Sequence, residues 1–168
     1  MVLFKKKMKI RKAKIEDLET ITEIYNYSII NSVATFDTVP KTMDYQKEWF
    51  YHHTDKYPLL VAEDTGGIVG WVSLSQWSDR CAYDKTAEIS VYVNKNNQGR
   101  GIGNKLIVNI INCAKKKNLH TIIARIDGEN EISVHLHKKN GFNYIGSLKE
   151  VGFKFNKYID VHLMQLIL

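Results

Sequence analysis

The run Ile89-Ser90-Val91-Tyr92-Val93, with Asn97-Gln98-Gly99-Arg100-Gly101-Ile102-Gly103 close behind it, decides the fold of this chain. The first run is β-branched and aromatic and reads as a strand. From Ile102 to Lys117 apolar residues recur at helical spacing, as Ile102, Leu106, Ile107, Ile110, Ile111 and Ala114. That pattern predicts a helix with one buried face and with Asn104, Lys105, Asn109 and Asn112 turned outward. Gly99, Gly101 and Gly103 therefore fall where a strand gives way to a helix N-terminus. Glycine lets a backbone approach a ligand closely, and the first helical turn presents unpaired N–H groups with partial positive charge. Together these make a cradle suited to a diphosphate. A tight strand-to-helix turn with no ligand would use the same glycines. The Gly-Lys-Ser/Thr ending of one common phosphate loop is missing, and the spacing is not the dinucleotide fingerprint.

Working outward, 168 residues with 44% hydrophobic and 25% charged content are ordinary globular values for one domain with a real core. No run approaches the roughly 20 apolar residues of a membrane span, so no membrane partner is expected. Met1 to Lys7 reads as a basic extension ahead of a domain over residues 8–168, and it lacks the apolar region of a secretory leader. The two cysteines, Cys81 and Cys113, and the histidines His52, His53, His120, His135 and His162 show no metal-ligand spacing. The expectation is a reducing cytoplasm and no metal. The net charge is +6. Its lysines are scattered, and the run Lys115–Lys117 suits a helix C-terminus. With no recognition motif beside them, nucleic acid is not an expected partner.

In chain order, Met8 to Arg11 predicts a strand, Ile15 to Ile30 a helix with Glu16 and Asp17 in its first turn, and Met43 to about His53 a second helix. Tyr57 to Glu63 and Ile68 to Ser75 form a hairpin across Asp64-Thr65-Gly66-Gly67. Gln76 to Lys85 is an irregular loop. After the long helix come a strand at Thr121 to Ile126, a helix from Glu131 to Lys139 stopped by Asn140-Gly141, and strands at Asn143 to Glu150 and Lys154 to Leu168. The fold class is α+β, with a mixed sheet in a single domain.

The pattern Gln98-x-x-Gly101-x-Gly103 resembles the pyrophosphate loop of the GCN5-related N-acetyltransferase superfamily, and the order of elements agrees with that superfamily throughout. A narrower resemblance, over about Ile10 to Leu166, is to its phosphinothricin acetyltransferase group. It is carried by Tyr25-Asn26, Ala34-Thr35-Phe36-Asp37, Tyr57-Pro58, Gly70-Trp71, Thr86-Ala87-Glu88, Ser90-Val91-Tyr92-Val93, Leu136-His137, Gly141-Phe142 and Val151-Gly152-Phe153-Lys154. The resemblance implies a mostly antiparallel central sheet flanked by helices and acetyl-coenzyme A (acetyl-CoA) as co-substrate. It further implies N-acetylation of phosphinothricin, methionine sulfoximine or methionine sulfone, and a homodimer.

It also implies roles for single residues. Glu88 is the expected base, partly desolvated between Ala87 and Ile89. Backbone N–H groups around Val91 would polarise the thioester, and Val91, Tyr92 and Val93 would pair with the pantetheine arm. Gln98, Gly99, Arg100, Gly101, Ile102, Gly103 and Asn104 would hold the pyrophosphate. His137 stands where many superfamily members carry a tyrosine, and it could protonate the leaving thiolate, assist the base, or simply pack. Asn130 and Ser133 would contact coenzyme A, though Asn130 could equally cap the helix at Glu131. For the acceptor, Phe36 would wall the pocket, Arg80 or Lys154 would bind its anionic group, and Tyr83 would line the cleft. Direct transfer in a ternary complex is expected, since neither cysteine has a recognisable base nearby. The alternatives are the same chemistry on a polyamine, an aminoglycoside or a protein N-terminus, or a coenzyme A-binding module without catalysis.

Overall fold

The computed structural model describes residues 8–168, so the expected basic extension over residues 1–7 lies outside the described residues. Strands β1 (Lys9–Lys12), β2 (Leu59–Asp64), β3 (Gly67–Gln76), β4 (Thr86–Val93), β5 (Thr121–Asp127), β6 (Asn143–Lys154) and β7 (Lys157–Ile167) form one sheet. Their order is β1-β2-β3-β4-β5-β7-β6. All neighbours run antiparallel except β4 and β5, so the sheet is mixed and mostly antiparallel as expected. The helices are α1 (Leu18–Asn31), α2 (Met43–His52), α3 (Ile102–Lys116) and α4 (Glu131–Lys139).

Period-two alternation sorts the sheet into two faces. Ala87 and Ile89 of β4 and Ile122, Ala124 and Ile126 of β5 pack with Ile102, Leu106, Ile107 and Ile110 of α3. The opposite face holds a smaller core of Ile21 and Ile24 from α1 with Leu59, Val61 and Trp71, against which Trp49 and Phe50 of α2 lean. All six apolar positions predicted for the buried stripe of α3 are buried. Each fully buried Leu or Ile contributes roughly 1.5–3 kcal/mol. That burial makes α3 the strut against which the glycine turn is set.

Two boundaries differ from the sequence reading. The first helix opens as a 3-10 turn at Ile15–Asp17 before α1 begins. Asp17 is not a solvent-facing helix acid. It is buried, and it accepts from Arg11 Nη1 at 2.7 Å, Arg11 Nη2 at 2.8 Å and the Lys14 N–H at 2.7 Å. Arg11 also donates through Nε to Glu63 at 2.8 Å, which ties β1, β2 and the start of α1 together. Burial alone would raise the Asp17 pKa, but the Arg11 and Lys14 hydrogen bonds outweigh it and hold the carboxyl below its ordinary value.

The second difference is at the last hairpin. β6 runs on through Val151 to Lys154, so Lys154 closes β6 opposite Lys157 and does not open β7. The register slips between Leu148 and Gly152, with Glu150 at φ 53°. The hairpin turns on Phe155 (φ 52°) and Asn156 (φ 57°). Two successive left-handed residues match the strand twist, a geometry that usually recruits glycine. A phenylalanine there gives the sequence no turn signal.

Candidate active site

The parallel pairing of β4 and β5 is short. It joins Thr86 to Thr121, Ala87 to Ile122 and Glu88 to Ile123, and then stops. Beyond Glu88, β4 continues against β3 as far as Val93, while β5 continues against β7 as far as Asp127. The two strands part like a V, and the edge of β4 that faced β5 is left without a sheet partner. A cavity of about 300 Å³ fills the opening. Its walls are Ile89 to Tyr92 of β4, Ala124 to Asp127 of β5, Asn130, Ser133 and His137 of α4, and the Ala34 to Asp37 stretch of the loop after α1. Glu88 sits at the apex, on the last paired rung.

Of the residues expected at a site, Glu88, Val91, Tyr92, Asn130, Ser133, His137 and Phe36 line this cavity. The glycine loop lies at the end of β4, beyond a 3-10 turn at Lys95–Asn97 that Asn94 caps by accepting from the Asn96 N–H. Gln98 Nε2 donates back to the Val93 carbonyl at 3.3 Å, so the loop is tied to the strand that leads into it. Gly99 and Gly101 both have φ +74°. Lys105 N–H donates to Gly101 O, the first helical bond of α3, which leaves the N–H groups of Ile102, Gly103 and Asn104 unpaired within the helix. No acidic residue occupies that first turn. A pyrophosphate would find donors there and no competing anion, so the loop fits acetyl-CoA. Gly103 has a different reason to be glycine. A Cβ there would lie 3.0 Å from Leu136 Cδ2, so the small residue lets the start of α3 close on α4. Asn104 turns its Oδ1 to accept from Asn140 Nδ2 at 3.1 Å, joining the same two helices. Arg100 stands 3.8 Å from Asp64. Val91 and Val93 pack toward α3, while the Tyr92 side chain points to the opposite face, where it lies tilted against Trp71 and edge-to-face with Tyr25. Burial pushes the Tyr92 phenol up to about 12, so it stays protonated there.

α4 gives the cavity its second wall. Asn130 caps it, Oδ1 accepting from the Ser133 N–H at 3.0 Å, so the capping reading holds. His137 is buried, with its ring edge-to-face on Phe142. Its Nδ1 lies 2.8 Å from the Ser133 carbonyl, which can only accept, so Nδ1 carries the proton. Desolvation lowers its pKa, which favours the neutral ring. A neutral ring protonated on Nδ1 offers a lone pair at Nε2 and no free proton, which is the wrong form for protonating a thiolate.

Four ionisable cavity residues were given no role at the site from the sequence: Arg125, Asp127, Tyr25 and Asp37. Arg125 grips Glu88 with Nε–Oε1 at 2.6 Å and Nη2–Oε2 at 2.9 Å, so the carboxylate expected to be partly desolvated between Ala87 and Ile89 is held by a guanidinium fork. The Trp77 ring centroid is 5.9 Å from that guanidinium. Asp127 is buried and accepts from the Glu129 N–H at 3.2 Å, and burial raises its pKa. The Tyr25 hydroxyl donates to Asp37 Oδ2 at 2.5 Å, and Lys41 pairs with Asp37 at 3.0 Å. The sequence signal for Arg125 was only an arginine in an apolar strand; that it lies two residues past Ile123, which pairs with Glu88, and so on the same face, is visible in the register alone.

Arg80 and Tyr83 are not brought to the cavity. Arg80 precedes and Tyr83 ends an exposed 3-10 turn (Cys81–Tyr83) that is fastened elsewhere, Asp84 accepting from Lys56 at 2.6 Å while its carbonyl accepts from the Tyr57 hydroxyl at 3.3 Å. Lys154 comes close, but its ammonium is buried and donates to the Thr35 carbonyl at 2.9 Å. It braces the loop that carries Phe36 and does not line the cavity.

With this geometry in place, comparison with known proteins gives a consistent answer. A family model for the acetyltransferase (GNAT) domain matches residues 10–163. The chain belongs to the GNAT acetyltransferase family. It is an N-acetyltransferase, and acetyl-CoA is the acyl donor of this family. Among similar proteins, an L-amino acid N-acyltransferase of Escherichia coli is 35% identical, over 95% of this chain and 93% of its own length. An L-methionine sulfoximine/L-methionine sulfone acetyltransferase of Salmonella typhimurium is 34% identical, over 95% and 94%. The crystal structure of a GNAT superfamily phosphinothricin acetyltransferase from Sinorhizobium meliloti in complex with acetyl-CoA superposes with a TM-score of 0.93 at 33% identity, covering 96% of this chain and 88% of that one. The GNAT assignment makes the V between β4 and β5, and the glycine loop above it, the place to look for the reaction.

Proposed function

We propose that this GNAT enzyme acetylates the α-amine of a small amino-acid analogue of the phosphinothricin, methionine sulfoximine or methionine sulfone kind, by direct transfer in a ternary complex. The observation that carries the proposal is a compact cavity of about 300 Å³ with a carboxylate, Glu88, at the apex where β4 and β5 part. A volume of that size has room for a single amino acid alongside a thioester. In this reading acetyl-CoA lays its pyrophosphate on the N–H groups of the Gly99 to Asn104 turn and its arm along the free edge of β4. N–H groups of that edge near Val91 face the thioester oxygen and stabilise the charge that develops on it. Glu88 takes the proton of the acceptor ammonium, and the neutral amine attacks. Phe36 walls the acceptor pocket. His137, neutral, serves as a proton acceptor or a packing partner and not as the acid. Direct transfer is supported by the cysteines, since neither Cys81 nor Cys113 lines the cavity.

The same reading includes a homodimer in the cytoplasm. The last hairpin exposes Tyr144, Ile145, Leu148, Val151, Phe153, Phe155 and Tyr158, and an exposed apolar band on an edge strand is a surface that association would cover. Both cysteines are free thiols, in keeping with a reducing compartment. Sedimentation at the mass of a single chain would remove the dimer from the proposal.

The deciding experiment follows coenzyme A thiol release with phosphinothricin, methionine sulfoximine, methionine sulfone, ordinary amino acids, spermidine and an aminoglycoside as acceptors. Turnover concentrated on the first three is the expected result. Turnover confined to the polyamine or the aminoglycoside would reject the acceptor class while leaving the GNAT chemistry in place.

A further inference from the structure

We infer that Arg125 is the anchor for the acceptor's α-carboxylate, and that seating this carboxylate detaches Glu88 from the guanidinium and frees it to accept the ammonium proton. The inference rests on the amino-acid reading above and goes beyond it, by naming the residue that selects amino acids over plain amines.

Among the described residues that line the cavity, Arg125 is the one permanently charged cation, facing the acids Asp37, Glu88 and Asp127. Its fork is occupied by Glu88 through Nε and Nη2, while Nη1 has no hydrogen bond among the described residues. The two partners differ in access. Half of the Arg125 side chain is exposed, against 16% of Glu88. An arriving anion therefore meets the guanidinium first, with the carboxylate recessed behind it. Seating the acceptor replaces one carboxylate by another in the same fork, so the guanidinium keeps an anionic partner throughout. The planar guanidinium suits either carboxylate bidentately.

In an α-amino acid the ammonium is one carbon away from the carboxylate. With the carboxylate on Arg125, the ammonium is delivered to Glu88, which trades a guanidinium partner for an ammonium partner. One N–H proton then passes to Glu88. The amine nitrogen forms its bond to the acetyl carbon, the carbon–sulfur bond breaks, the second N–H proton goes to the departing thiolate, and Glu88 returns its proton to water. The products are the N-acetyl amino acid, coenzyme A thiol and one released proton. A polyamine or aminoglycoside brings no carboxylate and adds cations facing Arg125, so Glu88 stays clasped.

The test compares one accepted amino acid with its carboxamide, using wild type and Arg125→Gln, with Arg125→Lys as the charge-retaining variant. Calorimetric titration of acetyl-CoA into each protein establishes that the donor site is intact. Removing a charge-assisted anchor should shrink the acid-to-carboxamide ratio of kcat/KM by about 10- to 100-fold, mainly through the KM of the acid, with Arg125→Lys restoring part of it. A merely structural role for Arg125 would slow both acceptors in parallel. An unchanged ratio in Arg125→Gln, whatever the absolute rates, overturns the inference and leaves the amino-acid reading standing. A wild-type enzyme that acetylates only acceptors without a carboxylate overturns both.

Discussion

Placing a side chain at Gly101 separates backbone strain from loss of the cofactor cradle, because two substitutions share one effect and differ in the other. Gly101 has φ +74°, and a Cβ built on it meets no atom within 4 Å. Gly101→Ala therefore creates no clash. Its cost is the left-handed backbone itself, roughly 1–2 kcal/mol for a residue with a Cβ. In a domain of this length that corresponds to a fall of about 2–8 °C in Tm. Gly101→Trp carries the same backbone cost, since its Cβ enters the same open space, but the indole extends into the volume over the unpaired N–H groups of Ile102, Gly103 and Asn104. Both variants should unfold at similar temperatures. Acetyl-CoA affinity by calorimetry should fall modestly in Gly101→Ala and by at least roughly tenfold more in Gly101→Trp, a difference of about 1.4 kcal/mol or greater. A tryptophan variant that melts with the alanine variant and binds acetyl-CoA equally well would refute the placement of the cradle.

Two further outcomes bear on the same site. Glu88→Gln should lower turnover by about 10²- to 10⁴-fold, the usual contribution of a positioned base, while calorimetric acetyl-CoA affinity stays near that of wild type; undiminished turnover would exclude Glu88 as the base. His137 carries a pKa lowered from 6.5 by desolvation, so the unfolded chain binds its proton more readily than the folded one. Its neutral form is fully compatible with the fold above about pH 6.5, and stability is lost as pH falls from there through the lowered value. Urea unfolding of wild type and His137→Gln from pH 7.5 down to about pH 5 should show wild type losing the more stability of the two, and equal losses would contradict a buried neutral ring.

The elements of the fold were legible where period and composition agree. The apolar stripe of α3, the Asp64 to Gly67 hairpin turn and the Asn140-Gly141 stop each carry a local signal, and each is where the sequence placed it. The last hairpin was misread because its turn is Phe155-Asn156 and its strand contains a register slip, both held by partners elsewhere in the sheet and neither marked by turn residues. The start of the first helix was misread for a related reason. Glu16 and Asp17 resemble any pair of first-turn acids until Arg11 and Glu63 are brought beside them by β1 and β2. In the site, Glu88, the glycine loop and α4 could be found from local motifs and resemblance. The Arg125 clasp on Glu88 joins residues 37 positions apart across a parallel pairing, which no local pattern announces. Neither Arg80 nor Lys154 lines the cavity, because Lys56 fastens the turn beside Arg80 and the Thr35 carbonyl engages Lys154, and both contacts span residues far apart in the sequence.

The strand order also constrains how the molecule is made. β7, the last strand in the sequence, lies between β5 and β6, and β6 has no other neighbour. During synthesis, β5 must wait with one edge bare, and β6 emerges with nothing to dock on until the residues of β7 follow it out. The closing steps of folding therefore join segments distant in sequence, such as Thr121 with Ile167, the kind of non-local pairing that slows folding. Until they occur, the wall of the V made by β5 has no outer support, so a nascent chain has the glycine loop and α3 before it has a complete cavity. The sheet is completed from the inside, with its penultimate strand on the rim and its last one threaded behind it.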